Sequence, residues 1–175
     1  MALIVFMRGA NVGGHRAFRP AALAKELSAL DVVNVGAAGT FVVRKAVSQS
    51  VLRAELQRRL PFKAELMMCR ARELVDLATA EPFPPDASAI GMRRFVSVLA
   101  KRPTKVPAIP FSQPAGASWQ VNVVGLRGRF VLSLWRRTGQ ALLYPNEVVE
   151  KRLAVAATTR TWDTLTKICG ILERR

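Results

Sequence analysis

Residues 1–14 read MALIVFMRGANVGG. An unbroken apolar run, Leu3 to Met7, stops at Arg8 and passes into the loop Gly9-Ala10-Asn11-Val12-Gly13-Gly14. A short continuous apolar run is the pattern of a strand buried on both faces. Three glycines directly after it call for a tight backbone that can approach a ligand closely. The order of elements that follows this strand decides the fold.

Arg19-Pro20 opens a helix, since proline suits the first helical position. Leu23, Ala24, Leu27 and Leu30 give it an apolar stripe that ends at Asp31. Val32 to Val35 and Thr40 to Val43 are apolar, β-branched runs on either side of Gly36-Ala37-Ala38-Gly39, the pattern of a strand pair. Ser48 or Ser50 caps a second helix carrying Val51, Leu52, Leu56 and Leu60 on one face. Ala64 to Cys69 reads as a strand and Arg72 to Ala80 as a short helix. Strand, helix, strand, strand, helix, strand is the ferredoxin-like, or split βαβ, order.

The proline-rich stretch Glu81 to Asp86 is a natural boundary, because proline continues neither helix nor central strand. Beyond it, Phe95 to Leu99 predicts a strand. Lys101 to Gly116 carries four prolines and reads as an irregular connection that takes the place of a helix. Trp119 to Val124 and Arg129 to Trp135 flank Gly125 to Gly128 as a hairpin. Asn146 caps a helix through Leu153, and a last helix runs from about Thr159 to Arg174. The expected fold class is therefore α+β. Two ferredoxin-like subdomains, 1–81 and 82–175, have antiparallel or mixed sheets with helices on one face. The second is expected to be a degraded copy of the first, although the halves share little residue-level similarity.

Composition supports a globular chain: 175 residues, 50% hydrophobic and 22% charged. No apolar run approaches the roughly 20 residues of a membrane helix. The opening run has no basic segment before it, so it reads as a strand and not a secretory signal. Cys69 and Cys169 are far apart and fit reduced thiols in a cytoplasmic protein with no membrane association. One histidine, His15, and no ligand-spaced cysteines predict no metal and no cofactor. The net charge of +15, from 27 basic and 12 acidic residues, favours anionic partners. The arginine pairs at 58–59, 93–94, 136–137 and 174–175 are dispersed, with no polybasic block.

The second stretch of chemical interest is 156–167, AATTRTWDTLTK. Trp162, Leu165, Ile168, Cys169 and Leu172 form a buried helical face. Thr158 or Thr159 suits the helix cap, and Asp163 complements the dipole. A helix start beside Arg160 also suits an anion.

Together the two stretches resemble a known family. FMRGANVGG is similar to the L-R-G-I-N-V-G-G opening of the uncharacterised, mainly bacterial domain-of-unknown-function 1697 family. ATTRTWDTLTKI is similar to its closing A-T-T-R-N-W-N-T-V-x-K-L, and VGAAGTFVV stands where it has I-Q-S-G-N-V-V-F. The resemblance implies a compact α+β protein with ferredoxin-like halves and no established activity. It picks out Arg8, Gly9, Asn11, Gly13 and Gly14, then Thr158, Thr159, Arg160, Trp162, Thr164 and Lys167. The chain departs from the family at Ala38, Thr40, Thr161 and Asp163, where side-chain amides or a serine are lost; if those amides touch a ligand, the departures imply a different ligand or none.

The residues support no catalytic assignment. A hydrolytic triad needs a base, and His15 is the sole candidate. Paired carboxylates are hard to assemble from scattered acids. No lysine follows a G-x-x-x-x-G run, and Gly9 to Gly14 has the wrong spacing for a dinucleotide fingerprint. Arg8, Gly9, Asn11, Gly13, Gly14, Thr158, Thr159, Arg160, Thr164 and Lys167 instead suit anionic oxygens. The expectation is one pocket for a phosphate- or carboxylate-bearing small molecule or nucleotide, joining the first strand's end to the last helix's start. The alternative is sequence-independent nucleic-acid binding through a basic surface, with Phe6, Phe41, Phe130 or Trp135 as stacking platforms. The loop Lys101 to Lys105 reads as a solvated connector.

Overall fold

A computed structural model of the chain describes residues 1–11, 14 and 17–174. The expectations attached to Gly13 and His15 lie outside the described residues. The chain forms two compact units, Met1–Ala78 with Thr166–Arg175, and Thr79–Leu165. It is an α+β protein with two antiparallel sheets.

In the first unit, strand β1 (Leu3–Arg8) is followed by helix α1 (Pro20–Glu26), strands β2 (Val32–Asn34) and β3 (Thr40–Val43), helix α2 (Gln49–Arg59), strand β4 (Glu65–Arg70) and helix α3 (Ala71–Thr79). The sheet order is β2-β3-β1-β4. Leu3 to Met7 are all buried, as an uninterrupted apolar run requires of a central strand. Leu3, Val5 and Met7 point to the face covered by Leu23 and Leu27 of the α1 segment and Leu52 and Leu56 of α2. Ser48 caps α2 by accepting from Val51 N. The α1 stripe stops short of the expected Leu30: α1 ends at Glu26, and Ser28–Leu30 tightens into a 3-10 turn. Asp31 then adopts a left-handed conformation, φ 50°, which ends the helical run.

The turn between β2 and β3 bonds directly to the central strand. Met7 N donates to the Gly39 carbonyl oxygen at 2.8 Å. Gly39 has φ +71°, and a Cβ placed there would lie 2.8 Å from the Met7 Cβ. Glycine is required for both reasons.

The second unit contains β5 (Met92–Leu99), β6 (Phe111–Gln113), β7 (Val121–Arg127), β8 (Phe130–Arg136), α4 (Pro145–Leu153), β9 (Ala157–Thr161) and the first turn of α5 (Trp162–Glu173). The remainder of α5 groups with the first unit, where the Arg44 guanidinium donates to Ile171 O. The sheet order is β6-β7-β8-β5-β9. Without β6, the order β7-β8-β5-β9 repeats β2-β3-β1-β4, and α4 takes the place of α2. Val148, Val149 and Leu153 of α4 pack on Val121, Val123, Val131 and Ala157.

Two strands here depart from the sequence expectation. β6 lies inside the stretch read as irregular, paired to β7 through Phe111↔Val123. β9 occupies the start of what read as the last helix. Ala157 to Thr161 pairs with Leu99 to Phe95, so β5's otherwise open edge recruits a β-branched segment.

Candidate functional site

In the opening motif, Arg8 and Asn11 both bond to other parts of the first unit. Arg8 sits opposite Glu65 in the β1–β4 ladder and pairs with it at 3.0 Å, both half-exposed. Asn11 is left-handed, φ 54°. Its Nδ2 donates to Ala37 O at 2.8 Å, and its Oδ1 accepts from Phe18 N at 2.9 Å. Those bonds tie Asn11 to the 36–39 turn and to Phe18 ahead of α1. Gly9 and Gly14 both have positive φ, 65° and 76°.

The closing motif is split by function. Thr158, Thr159 and Arg160 belong to β9. Thr159 Oγ1 donates to Asn146 Oδ1 at 2.8 Å and therefore accepts from Ser97 Oγ at 2.6 Å. Ser133 Oγ, also buried, has no hydrogen-bond partner among the described residues. Arg160 is buried and donates to Thr158 Oγ1 and Thr159 O, each at 2.9 Å. Burial pushes its guanidinium pKa down to about 10, so it stays a cation at neutral pH. Thr158 and Thr159 do not cap the last helix. That role falls to Thr161, whose Oγ1 accepts from Thr164 N at 3.4 Å and contacts Thr164 Oγ1 at 3.1 Å. The cap moves because residues 157–161 are held extended by β5. Thr161→Ala should cost roughly 0.5–1 kcal/mol, read as a small fall in melting temperature. Thr158→Ala, if it were the cap, would show that loss instead. Lys167 is exposed on α5, beyond the first turn.

Immediately past β9 lies a cavity of about 400 Å³ lined by Ser88, Met92, Arg93, Arg94, Trp162 and Asp163, with Ala87 and Thr161 completing the wall. Every one of these residues belongs to the second unit. Arg93 and Arg94 open β5, and Thr161 and Trp162 join β9 to α5. Because β5 and β9 are neighbours, with Phe95 opposite Thr161, the arginines are delivered to the start of the helix. Arg94 lies 5.9 Å over the Phe83 ring, and Phe83 meets Trp162 edge-on at 5.1 Å. Arg93 lies 5.9 Å over Trp135, which stacks on Tyr144. Both guanidiniums are thus oriented by aromatic faces. The positive end of the α5 dipole adds to their field, and the Asp163 carboxylate offsets part of it.

Sequence reasoning named Arg93-Arg94 only as a dispersed pair and did not place it in a site. It did mark Thr161 and Asp163, two positions that depart from the family pattern, and both line this cavity. The open-sheet route to nucleic acid is overturned for three of its four aromatics. Phe6 and Phe41 are fully buried and Phe130 is 4% exposed, leaving no face for a base. Trp135 is half-buried and already stacked on Tyr144.

Comparisons with known proteins agree with the fold and add no activity. A family model described as "Protein of unknown function (DUF1697)" matches residues 1–126. The match includes the opening motif and stops before the closing one. Among solved structures, the chain is similar to the conserved bacterial protein SP0830 from Streptococcus pneumoniae, with 16% identity, a TM-score of 0.60 and 98% of each chain covered. No curated protein matches the chain.

Proposed function

The chain belongs to the DUF1697 family of proteins of unknown function, and from its own residues we propose that it binds a small ligand bearing a phosphate or carboxylate. The observation that carries this reading is the cavity at the start of α5, lined by two arginines, Arg93 and Arg94, each set against an aromatic ring. Guanidiniums hold planar oxyanions through paired, charge-assisted bonds. Asp163 accepts a hydroxyl or amino donor elsewhere on the ligand. Trp162 and Met92 cover its apolar part. A nucleoside monophosphate or a phosphorylated metabolite has this combination of groups.

The test is a titration of the full chain with nucleoside monophosphates and phosphorylated metabolites, followed by thermal shift and calorimetry. A ligand that binds only the native state raises the melting temperature. Arg93→Ala and Arg94→Ala should each weaken binding roughly tenfold or more, since a hydrogen bond to a charged group contributes about 1.5–3 kcal/mol. Asp163→Asn should strengthen binding of inorganic phosphate by removing a like charge. The reading fails if no such ligand shifts the melt, or if both arginine variants bind as the parent does.

Arg8 with its glycine loop, Thr159, Arg160, Thr164 and Lys167 enter this proposal as further residues suited to the same class of ligand. Arg8→Ala and Lys167→Ala belong in the same titration, each scored on its own. A cytoplasmic setting is also part of the proposal. It is motivated by Cys69 and Cys169, neither of which is in a disulfide. No helix among the described residues is long and apolar enough to cross a membrane.

A further inference from the structure

The dispersed basic residues of the second unit are sorted by the fold to one end of its sheet. β5 finishes at Leu99, whose N–H donates to Arg129 O at 2.9 Å, and Ala100 N donates to Ala156 O at 2.8 Å. Three segments therefore meet at this end: the chain leaving β5, the β7–β8 turn, and the end of α4. The first carries Lys101, Arg102 and Lys105, all exposed. The turn carries Arg127 and Arg129, the latter donating to Leu99 O at 3.2 Å. The last turn of α4 brings Lys151 and Arg152. Against these seven cations stands one acid among the described residues, Glu150. Its carboxylate already accepts from Ala157 N.

The opposite end of the same sheet is mixed in charge. There Arg93, Arg94, Arg136 and Arg137, at the start of β5 and the end of β8, stand with Asp163 at the start of α5 and Asp86 in the turn packed against β5. The positive field of the unit is thus concentrated at the Leu99 end and is not an even coating.

We propose that this end of the second unit is a docking surface for a nucleic-acid phosphodiester backbone, bound without regard to sequence. The β7-β8-β5-β9 edge is about 15 Å wide, taking strands at about 4.8 Å. One strand of a duplex carries a charge every ~3.4 Å of axis, so about four phosphates face it. The cations stand on three different segments, as a surface that follows a backbone needs. Among the described residues, no exposed aromatic stands there to read bases. An anionic membrane is the weaker fit, because interfacial binding also needs buried apolar area. Val106 is the one large apolar side chain of this end among those markedly exposed. The surface is separate from the α5 cavity and does not depend on the small-ligand reading.

The test measures binding of the full chain to a fluorescein-labelled 20-base-pair duplex between 50 and 200 mM salt. The expected slope of log Kobs against log salt is about −4, from four neutralised phosphates. Lys101→Ala, Arg102→Ala and Lys105→Ala combined should weaken binding at least tenfold at 100 mM salt and flatten the slope by about two. Arg127→Glu with Lys151→Glu should abolish binding while leaving the melting temperature near that of the parent. Lys25→Ala, Lys63→Ala and Arg137→Ala combined remove equal charge from elsewhere and should stay within about threefold of the parent. Three results overturn the proposal. The duplex fails to bind at 50 mM salt, or both triple variants lose affinity equally, which makes net charge the cause. In the third, vesicles with 30% phosphatidylserine bind more tightly than DNA and lose that binding in the same variants.

Discussion

Gly39→Ala is expected to destabilise the first unit by about 2–5 kcal/mol, lowering the melting temperature by roughly 5–20 °C. Two costs add. At φ +71° an L side chain crowds its own carbonyl, about 1–2 kcal/mol. The new methyl would also lie 2.8 Å from Met7 Cβ and 3.0 Å from its Cγ and Sδ. Met7 is 1% exposed on the central strand and cannot swing out. Overpacking of this kind costs about 1–3 kcal/mol. Gly36, at the other side of the same turn, is the control. Its φ is +84°, yet nothing lies within 4 Å of a Cβ there. Gly36→Ala should show only the backbone cost. Equal losses for the two variants, measured by thermal and urea unfolding, would show that the approach to Met7 is not what demands glycine at 39.

The second large effect is at Gln120, a polar side chain only 8% exposed. Its Nε2 donates to Thr138 O at 2.9 Å and Ala141 O at 2.8 Å, while its Oε1 accepts from Leu143 N at 2.9 Å. One amide thus pins the 137–144 connection that leads into α4. Gln120→Ala removes three bonds and leaves the Leu143 N–H without its acceptor. A loss of about 2–3 kcal/mol follows, since an unsatisfied buried group costs about 1–3 kcal/mol. Gln120→Glu is a sharper probe. A carboxylate there would face two carbonyl oxygens with no proton to give, whereas the protonated acid can donate once. The folded state then holds the carboxyl above its unfolded pKa of about 4.3. Stability of that variant should fall as pH rises through and above that value, with the parent flat across the same window. A parallel pH dependence in the parent would assign the effect elsewhere.

The local pattern of the opening strand was sufficient for its role. Leu3 to Met7 has no polar interruption, so a strand buried on both faces was the economical outcome, and it sits at the centre of its sheet. The element order of the first unit followed from similar short-range signals: Pro20 at a helix start, Ser48 as a cap, and Gly36 and Gly39 in the turn between β2 and β3. The closing motif was less legible. A run of threonines is ambiguous, and here the segment from Thr158 to Thr161 suits a cap, a first helical turn or a strand. Only the partner decides, and the partner is β5, some 62 residues away at the Ser97–Thr159 contact.

The candidate site shows the same division. Thr161 and Asp163 were visible as departures from a family pattern, because a substitution is a property of single positions. Arg93, Arg94 and Ser88 were invisible as site residues. Nothing in their neighbourhood in sequence says that they meet the start of a helix at residue 162. The +15 charge was known at once, but its sorting to the Leu99 end was not. By itself the sequence determined the α+β class, the central strand, the glycine turns and the family, since these depend on residues within one or two elements. The tertiary structure alone decided where β6 and β9 lie, which threonine caps α5, and which cations share a surface. Those outcomes turn on pairing between strands far apart in the chain, where an open edge and its backbone hydrogen bonds outweigh local preference.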